Sequence, residues 1–156
     1  MRHFEISAES VSADGLRIAV VASRYNHVIT DALLDGALKA LREAGAEDDD
    51  VDVVRVPGAF ELPIALKAMM DADDYDCAVA LGCIVRGDTP HFDFVAKGCT
   101  EGLMRVSLDE GIPVGFGILT TENQAQAEER CRPDETNKGR EAALTAIEMA
   151  RLIEEI

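Results

Sequence analysis

The stretch Arg86-Gly87-Asp88-Thr89-Pro90-His91 places a guanidinium, a carboxylate, a hydroxyl and an imidazole next to one another. Backbone N–H groups at the start of a helix, with a glycine such as Gly87 allowing close approach, form an anion site, and Thr89 adds a hydroxyl donor. Asp88 is the carboxylate of the same turn. The unperturbed pKa of an imidazole lies near neutrality, so His91 is the best general acid or base in the chain. A plain turn and helix cap accounts for Gly87-Asp88-Thr89-Pro90 equally well, because such caps are common. His27 also follows an apolar run and competes with His91; His3, close to the N-terminus, does not.

Other polar or aromatic side chains follow other apolar runs. Phe60-Glu61 comes after Val56-Pro57-Gly58-Ala59, and Glu61 can accept hydrogen bonds from a polyol or complement a helix N-terminus. Tyr25 and Phe116 belong to a small aromatic set of five Phe and two Tyr. A flat ring substrate would use them, and so would an ordinary core. Arg130 and Lys138 flank a linker before the last helix, where each is available to an anion or to solvent. The four cysteines, Cys77, Cys83, Cys99 and Cys131, include no C-x-x-C pair, and Cys83, His91 and Cys99 match no usual zinc spacing. Neither a disulfide framework nor a metal site is expected.

The elements that must position these groups read as four strand–helix alternations. Short apolar runs at 16–22, 51–56, 77–81 and 114–119 predict strands. Between them, helices are predicted from a cap at Thr30 or Asp31 to Gly45, over about 60–70 with Pro63 in the first turn, and over 92–108. A short polar helix at 123–130, a linker at 131–136 and a long helix at 137–155 complete the chain. In the last helix, Ala143, Leu144, Ile147, Ala150 and Leu152 should face inward. The pattern predicts an α/β fold: a three-layer α/β/α sandwich with a four-stranded parallel sheet, flavodoxin-like, with right-handed crossovers. Residues 1–156 read as a single domain in which 1–15 form an N-terminal arm, either a peripheral strand or loose. The acidic run 47–50 reads as a solvated loop. Gly98 and Gly102 suggest close packing against another backbone, even another subunit. In such a sheet the loops at 23–27, 57–61, 82–91 and 120–123 gather at one rim, where ligands bind.

Bulk properties exclude several classes of function. The chain has 30 acidic and 15 basic side chains, a net charge of −15, which argues against nucleic acid as a partner. A salt-rich cytoplasm, as in halophiles, and an ordinary acidic protein both explain that surface. No apolar run reaches a membrane span and the N-terminus lacks a signal-peptide stretch, so the expected location is the cytoplasm, with no membrane partner. From the residues alone, the reading stops at an enzyme or binder for a small phosphorylated molecule.

Four segments carry a resemblance. Val56-Pro57-Gly58-Ala59-Phe60-Glu61-Leu62-Pro63, the run from Leu81 through Arg86-Gly87-Asp88-Thr89-Pro90-His91-Phe92, Phe116-Gly117-Ile118-Leu119-Thr120-Thr121-Glu122-Asn123, and Asn137-Lys138-Gly139 closely resemble the lumazine synthase family. The resemblance spans about residues 15 to 155. It implies condensation of 5-amino-6-(D-ribitylamino)uracil with 3,4-dihydroxy-2-butanone 4-phosphate, without metal or organic cofactor. It also implies that Tyr25, Ala59, Phe60, Glu61, Cys83, Ile84 and Val85 hold the pyrimidine, that Gly87, Asp88 and Thr89 form the phosphate turn, and that His91 transfers protons. Phe116, Lys138 and the phosphate-binding Arg130 match positions donated by a neighbouring subunit, with Glu141 able to pair with Arg130. The expected partners are the small-molecule substrates, further copies of the chain in a pentamer or a sixty-subunit shell, and riboflavin synthase. Tyr25 stands where Phe or Trp is commoner, and Cys83 where Thr is frequent. Two other readings stay open: an archaeal-type riboflavin synthase, and a lumazine- or flavin-binding shell protein without turnover.

Overall fold

In a computed structural model that describes residues 1–7 and 11–156, the chain folds as a four-stranded sheet with helices on both faces. The strands are β1 (Ile18–Ser23), β2 (Val51–Val56), β3 (Cys77–Val85) and β4 (Val114–Thr121). The helices are α1 (His27–Glu43), α2 (Leu62–Ala72), α3 (His91–Glu110), α4 (Gln124–Arg130) and α5 (Lys138–Glu155). Strand order is β2-β1-β3-β4 and every pairing is parallel. The expected α/β/α sandwich is therefore present, in the flavodoxin-like order. No strand forms in residues 1–7 or 11–15, and residues 8–10 of the expected arm lie outside the described residues.

Period-two alternation sorts the strand side chains into two cores. Ile18, Val20 and Ala22 of β1 join Cys77, Val79, Leu81 and Cys83 of β3 against α1 and α5. Ala19 and Val21 join Ala78, Ala80 and Ile84 against α2 and α3. Strands buried on both faces read as continuous apolar runs, which is why 18–22 and 77–81 stood out in the sequence.

Several boundaries differ from expectation. α1 begins at His27, not at Thr30 or Asp31, because Asn26 caps it in the left-handed region (φ 58°), a conformation Asn tolerates. Thr30 is consequently buried inside the helix. β3 runs four residues past Leu81, to Val85. Gly82 is a strand residue, and a Cβ there would press on Ser23 Oγ at 3.2 Å and on Ile118 and Leu62 at 3.3 Å. The acidic run contains a single 3-10 turn, Asp48–Asp50. Gly98 and Gly102 do approach a neighbour closely, but it is a pair of side-chain rings in the same chain. A Cβ on Gly98 would lie 2.7 Å from the Phe60 ring, and one on Gly102 would lie 2.6 Å from Pro63.

Candidate active site

The order β2-β1-β3-β4 reverses direction between β1 and β3, so their carboxyl ends splay apart and leave a crevice. The register deepens it. The ladder between β1 and β3 ends at Ala22↔Leu81, while that between β3 and β4 continues to Val85↔Thr121. Beyond Leu81, β3 thus has a sheet neighbour on one side only. Asn26 Nδ2 donates to the Cys83 carbonyl at 3.0 Å from the β1 side. By strand periodicity the main-chain groups of Val85 face that same side, where β1 no longer runs.

A cavity of about 620 Å³ occupies this place, large enough for a drug-sized ligand. Three loops, the edge of one strand and one helix supply its walls. From the β1–α1 loop comes Tyr25, which is 72% exposed. That loop is fastened to the next by Arg24 N–H to Val56 O (2.8 Å) and Tyr25 N–H to Pro57 O (3.0 Å). The β2–α2 loop gives Gly58, Ala59, Phe60 and Glu61. A 3-10 turn, Ala59–Glu61, forms there because Glu61 Oε2 accepts the Gly58 N–H at 2.9 Å. Glu61 therefore does cap a helix start, and its carboxylate also lines the cavity. The edge of β3 gives Cys83, Ile84 and Val85, and the next turn gives Gly87, Thr89 and His91. α3 adds Phe92, Phe94 and Val95. Of these, Phe92, Phe94 and Val95 were not assigned to the site from sequence; the available signal was that Phe94 and Val95 stand at i+3 and i+4 from His91 on α3, and Val95 at i+3 from Phe92.

Burial pushes the Cys83 thiol up to about 11, so it stays protonated at neutral pH and is no nucleophile. Its contribution is volume and main chain. His91 is exposed at the first position of α3, and its N–H donates to Thr89 Oγ1 at 3.4 Å, a long bond. No left-handed φ occurs at Gly87, and a Cβ there would meet nothing within 4 Å. What glycine leaves at this position is open approach to the backbone.

The cations are elsewhere. Among the described lining residues none is Lys or Arg. Arg86 is engaged by its own chain: Nε donates to Glu122 at 2.8 Å and Nη1 to Asp93 at 3.4 Å. Arg130, Lys138 and Glu141 line a second cavity, of about 470 Å³, with Glu129, Arg132 and Thr136. Glu141 pairs with Lys138 at 2.5 Å, not with Arg130, because Lys138 stands one helical turn away on α5. Arg130 Nη1 donates to Gln126 O at 2.9 Å. Asp88 and Phe116 are exposed and line neither cavity. His27 opens α1, exposed and outside the cavity. Cys83 and Cys99 belong to opposite cores. Among the described residues no group of three His, Cys, Asp or Glu is arranged to hold a metal ion, and no helix is long and apolar enough to cross a membrane.

A ring platform, a carboxylate and an imidazole around one crevice of an open parallel sheet define a class: an enzyme that positions small molecules at the switch point of an α/β fold. Comparison with known proteins makes this specific. The family model described as 6,7-dimethyl-8-ribityllumazine synthase matches residues 15–154. Relatives carrying that name include one from Chlorobium phaeobacteroides, 52% identical over 143 residues (92% of each chain). Another, from Desulfotalea psychrophila, is 48% identical over 145 residues (93% of this chain, 94% of the relative). A third, from Sodalis glossinidius, is 48% identical over 147 residues (94% of each chain). The chain belongs to the 6,7-dimethyl-8-ribityllumazine synthase family.

Proposed function

We propose that this protein condenses 5-amino-6-(D-ribitylamino)uracil with 3,4-dihydroxy-2-butanone 4-phosphate to 6,7-dimethyl-8-ribityllumazine, releasing phosphate and water, a transferase step of riboflavin biosynthesis. Family membership over nearly the whole chain carries this reading, and the crevice at the β1/β3 switch point suits it. The pyrimidine stacks on Tyr25 and Phe60, against the β3 edge at Cys83, Ile84 and Val85 and beside Ala59. Glu61 accepts hydrogen bonds from the ribityl hydroxyls. The substrate's own amine attacks the ketone, so the reaction asks for positioning and modest proton transfer, with His91 as the acid/base. Phosphate leaves from the turn Gly87-Asp88-Thr89.

The phosphate needs a cation, and Arg130 supplies it from a neighbouring subunit, together with Phe116 and Lys138, with Glu141 supporting Lys138. Separation of the two cavities within one chain and the tying up of Arg86 favour this division. The working form is then a pentamer at least; a sixty-subunit shell that holds riboflavin synthase is the larger alternative. The expected compartment is the cytoplasm.

Pure protein given both substrates should yield lumazine fluorescence and one inorganic phosphate per product. Absence of both overturns the reading, and riboflavin formed from lumazine alone would favour the archaeal-type riboflavin synthase. A native mass equal to one chain with full activity would overturn the shared site.

A further inference from the structure

Arg86 is the one cation of the phosphate turn by sequence, yet its geometry turns it away from an anion. Its backbone N–H donates to Thr121 O at 2.9 Å, extending the β3/β4 ladder by one residue. Its guanidinium carbon lies 4.3 Å from the centroid of the Phe92 ring. Nε reaches Glu122 at 2.8 Å and Nη1 reaches Asp93 at 3.4 Å. The bond to Glu122, foremost, holds the guanidinium above its ordinary pKa. Glu122 is itself fixed, because its N–H donates to Gln126 Oε1 and Asn123 caps α4 through the Gln126 N–H, both at 2.9 Å.

We infer that Arg86 is a positioning residue, a strap that ties the rigid β4–α4 corner to the first turn of α3 and so holds the turn at 87–90 and His91 in register with the β3 edge. The strap spans the turn from Arg86 to Phe92 and Asp93. Within the turn itself, the bonds are Thr89 Oγ1 with the His91 N–H at 3.4 Å and Pro90 O with the Asp93 N–H at 3.0 Å. Three exposed residues, Gly87, Asp88 and Thr89, therefore depend on the strap for a fixed shape. Stacking makes the device specific for arginine: a planar guanidinium can cover a ring and grip a carboxylate at once, and an ammonium cannot. Arg86 thus acts on phosphate through the turn and does not touch it.

This role rests on the proposed condensation only for its kinetic consequence. In Arg86→Gln, hydrogen exchange at the two hydrogen-bonded amides of the turn, His91 and Asp93, should rise about tenfold while β1 and the first half of β3 stay unchanged. The KM for the ketone phosphate should rise several-fold and kcat/KM fall about tenfold, with the KM for the pyrimidine within twofold of wild type. Arg86→Lys should recover only part. Glu122→Gln decides between strap and ligand by sign, and still does so should Arg86→Gln fail to fold. Loosening the strap raises the KM for the ketone phosphate; freeing a phosphate-binding guanidinium would lower it and overturn the inference. Unchanged exchange in the turn of Arg86→Gln overturns it too, whatever the turnover. A wild-type chain without turnover, whose turn still loosens in Arg86→Gln, would uphold the strap and refute the condensation.

Discussion

At each end of the parallel sheet an arginine lies across an aromatic ring between two carboxylates. Where the strands begin, Arg17 Nη2 meets Asp52 at 2.9 Å and Asp73 at 2.8 Å, with Tyr75 5.5 Å away at its centroid. Where they end, Arg86 meets Glu122 and Asp93 over Phe92. The first cluster is closed on itself. Arg17 also gives Nη1 to Asp49 O and its N–H to Asp76, both at 2.8 Å, and the Tyr75 hydroxyl donates to Asp52 at 2.8 Å. Burial and the bond to Asp52 push that phenol up to about 12. This cluster laces the starts of β1 and β2 to the connection entering β3. At the other end the bonds stop short, and the turn beside Arg86 is left open to the cavity. The same chemistry is spent on rigidity at one pole and on presenting a turn to ligand at the other.

Four experiments bear on that contrast. The largest effect is expected away from both clasps, and it sets their scale. Asn137 is buried, accepts N–H groups of Gly139 and Arg140 at 2.9 and 3.1 Å, and donates to carbonyls of Ala32, Cys131 and Arg132. Asn137→Ala removes a cap and strands those groups, so chemical denaturation should show a loss of about 3 kcal/mol. Next comes Arg17→Gln, which should lower the melting temperature by several degrees with kcat/KM of the folded enzyme within twofold. A large kinetic loss there would break the division between the poles. His91→Ala should do the reverse: kcat down about tenfold, about 1.4 kcal/mol in activation free energy, with melting unchanged and ligand still bound. The smallest effect concerns acid. The Asp74 N–H, and after it Arg17, hold the Asp73 carboxyl below its ordinary value of 3.8. A lowered folded-state pKa gives stability that is present above 3.8 and lost as pH falls through the folded value. The drop in melting temperature between pH 5 and pH 3 should therefore be smaller in Asp73→Asn than in wild type; equal drops would remove Asp73 from the acid response.

The strands and their order of alternation were legible because runs such as 18–22 and 77–81 are buried on both faces and so carry no polar interruption. The cavity wall was legible in part. Tyr25, Phe60, Glu61, Thr89 and His91 come together because all follow strands of one parallel sheet. What escaped depends on particular neighbours. Gly82 read as a turn, although the crowding by Ser23, Leu62 and Ile118 is what requires glycine there. The start of α1 was missed because an Asn in the left-handed region carries no side-chain cap bond to announce it. Arg86 carried no assigned partner, since Glu122 stands 36 residues away. The pairing of Glu141 with Lys138 instead of Arg130 turned on helical spacing that the motif match did not weigh.

Phe60 lines the cavity, and Gly98 on α3, which does not, lies against the ring where a methyl group would stand 2.7 Å from Cε2. The wall of the crevice can therefore be shifted from behind, by a change at a residue no substrate meets. Adding a single carbon at Gly98 would push an aromatic wall by a fraction of its thickness, a finer adjustment than any replacement of Phe60 offers. For selection, or for an engineer seeking a different pyrimidine, the tuning screw of this pocket is on the far side of its wall.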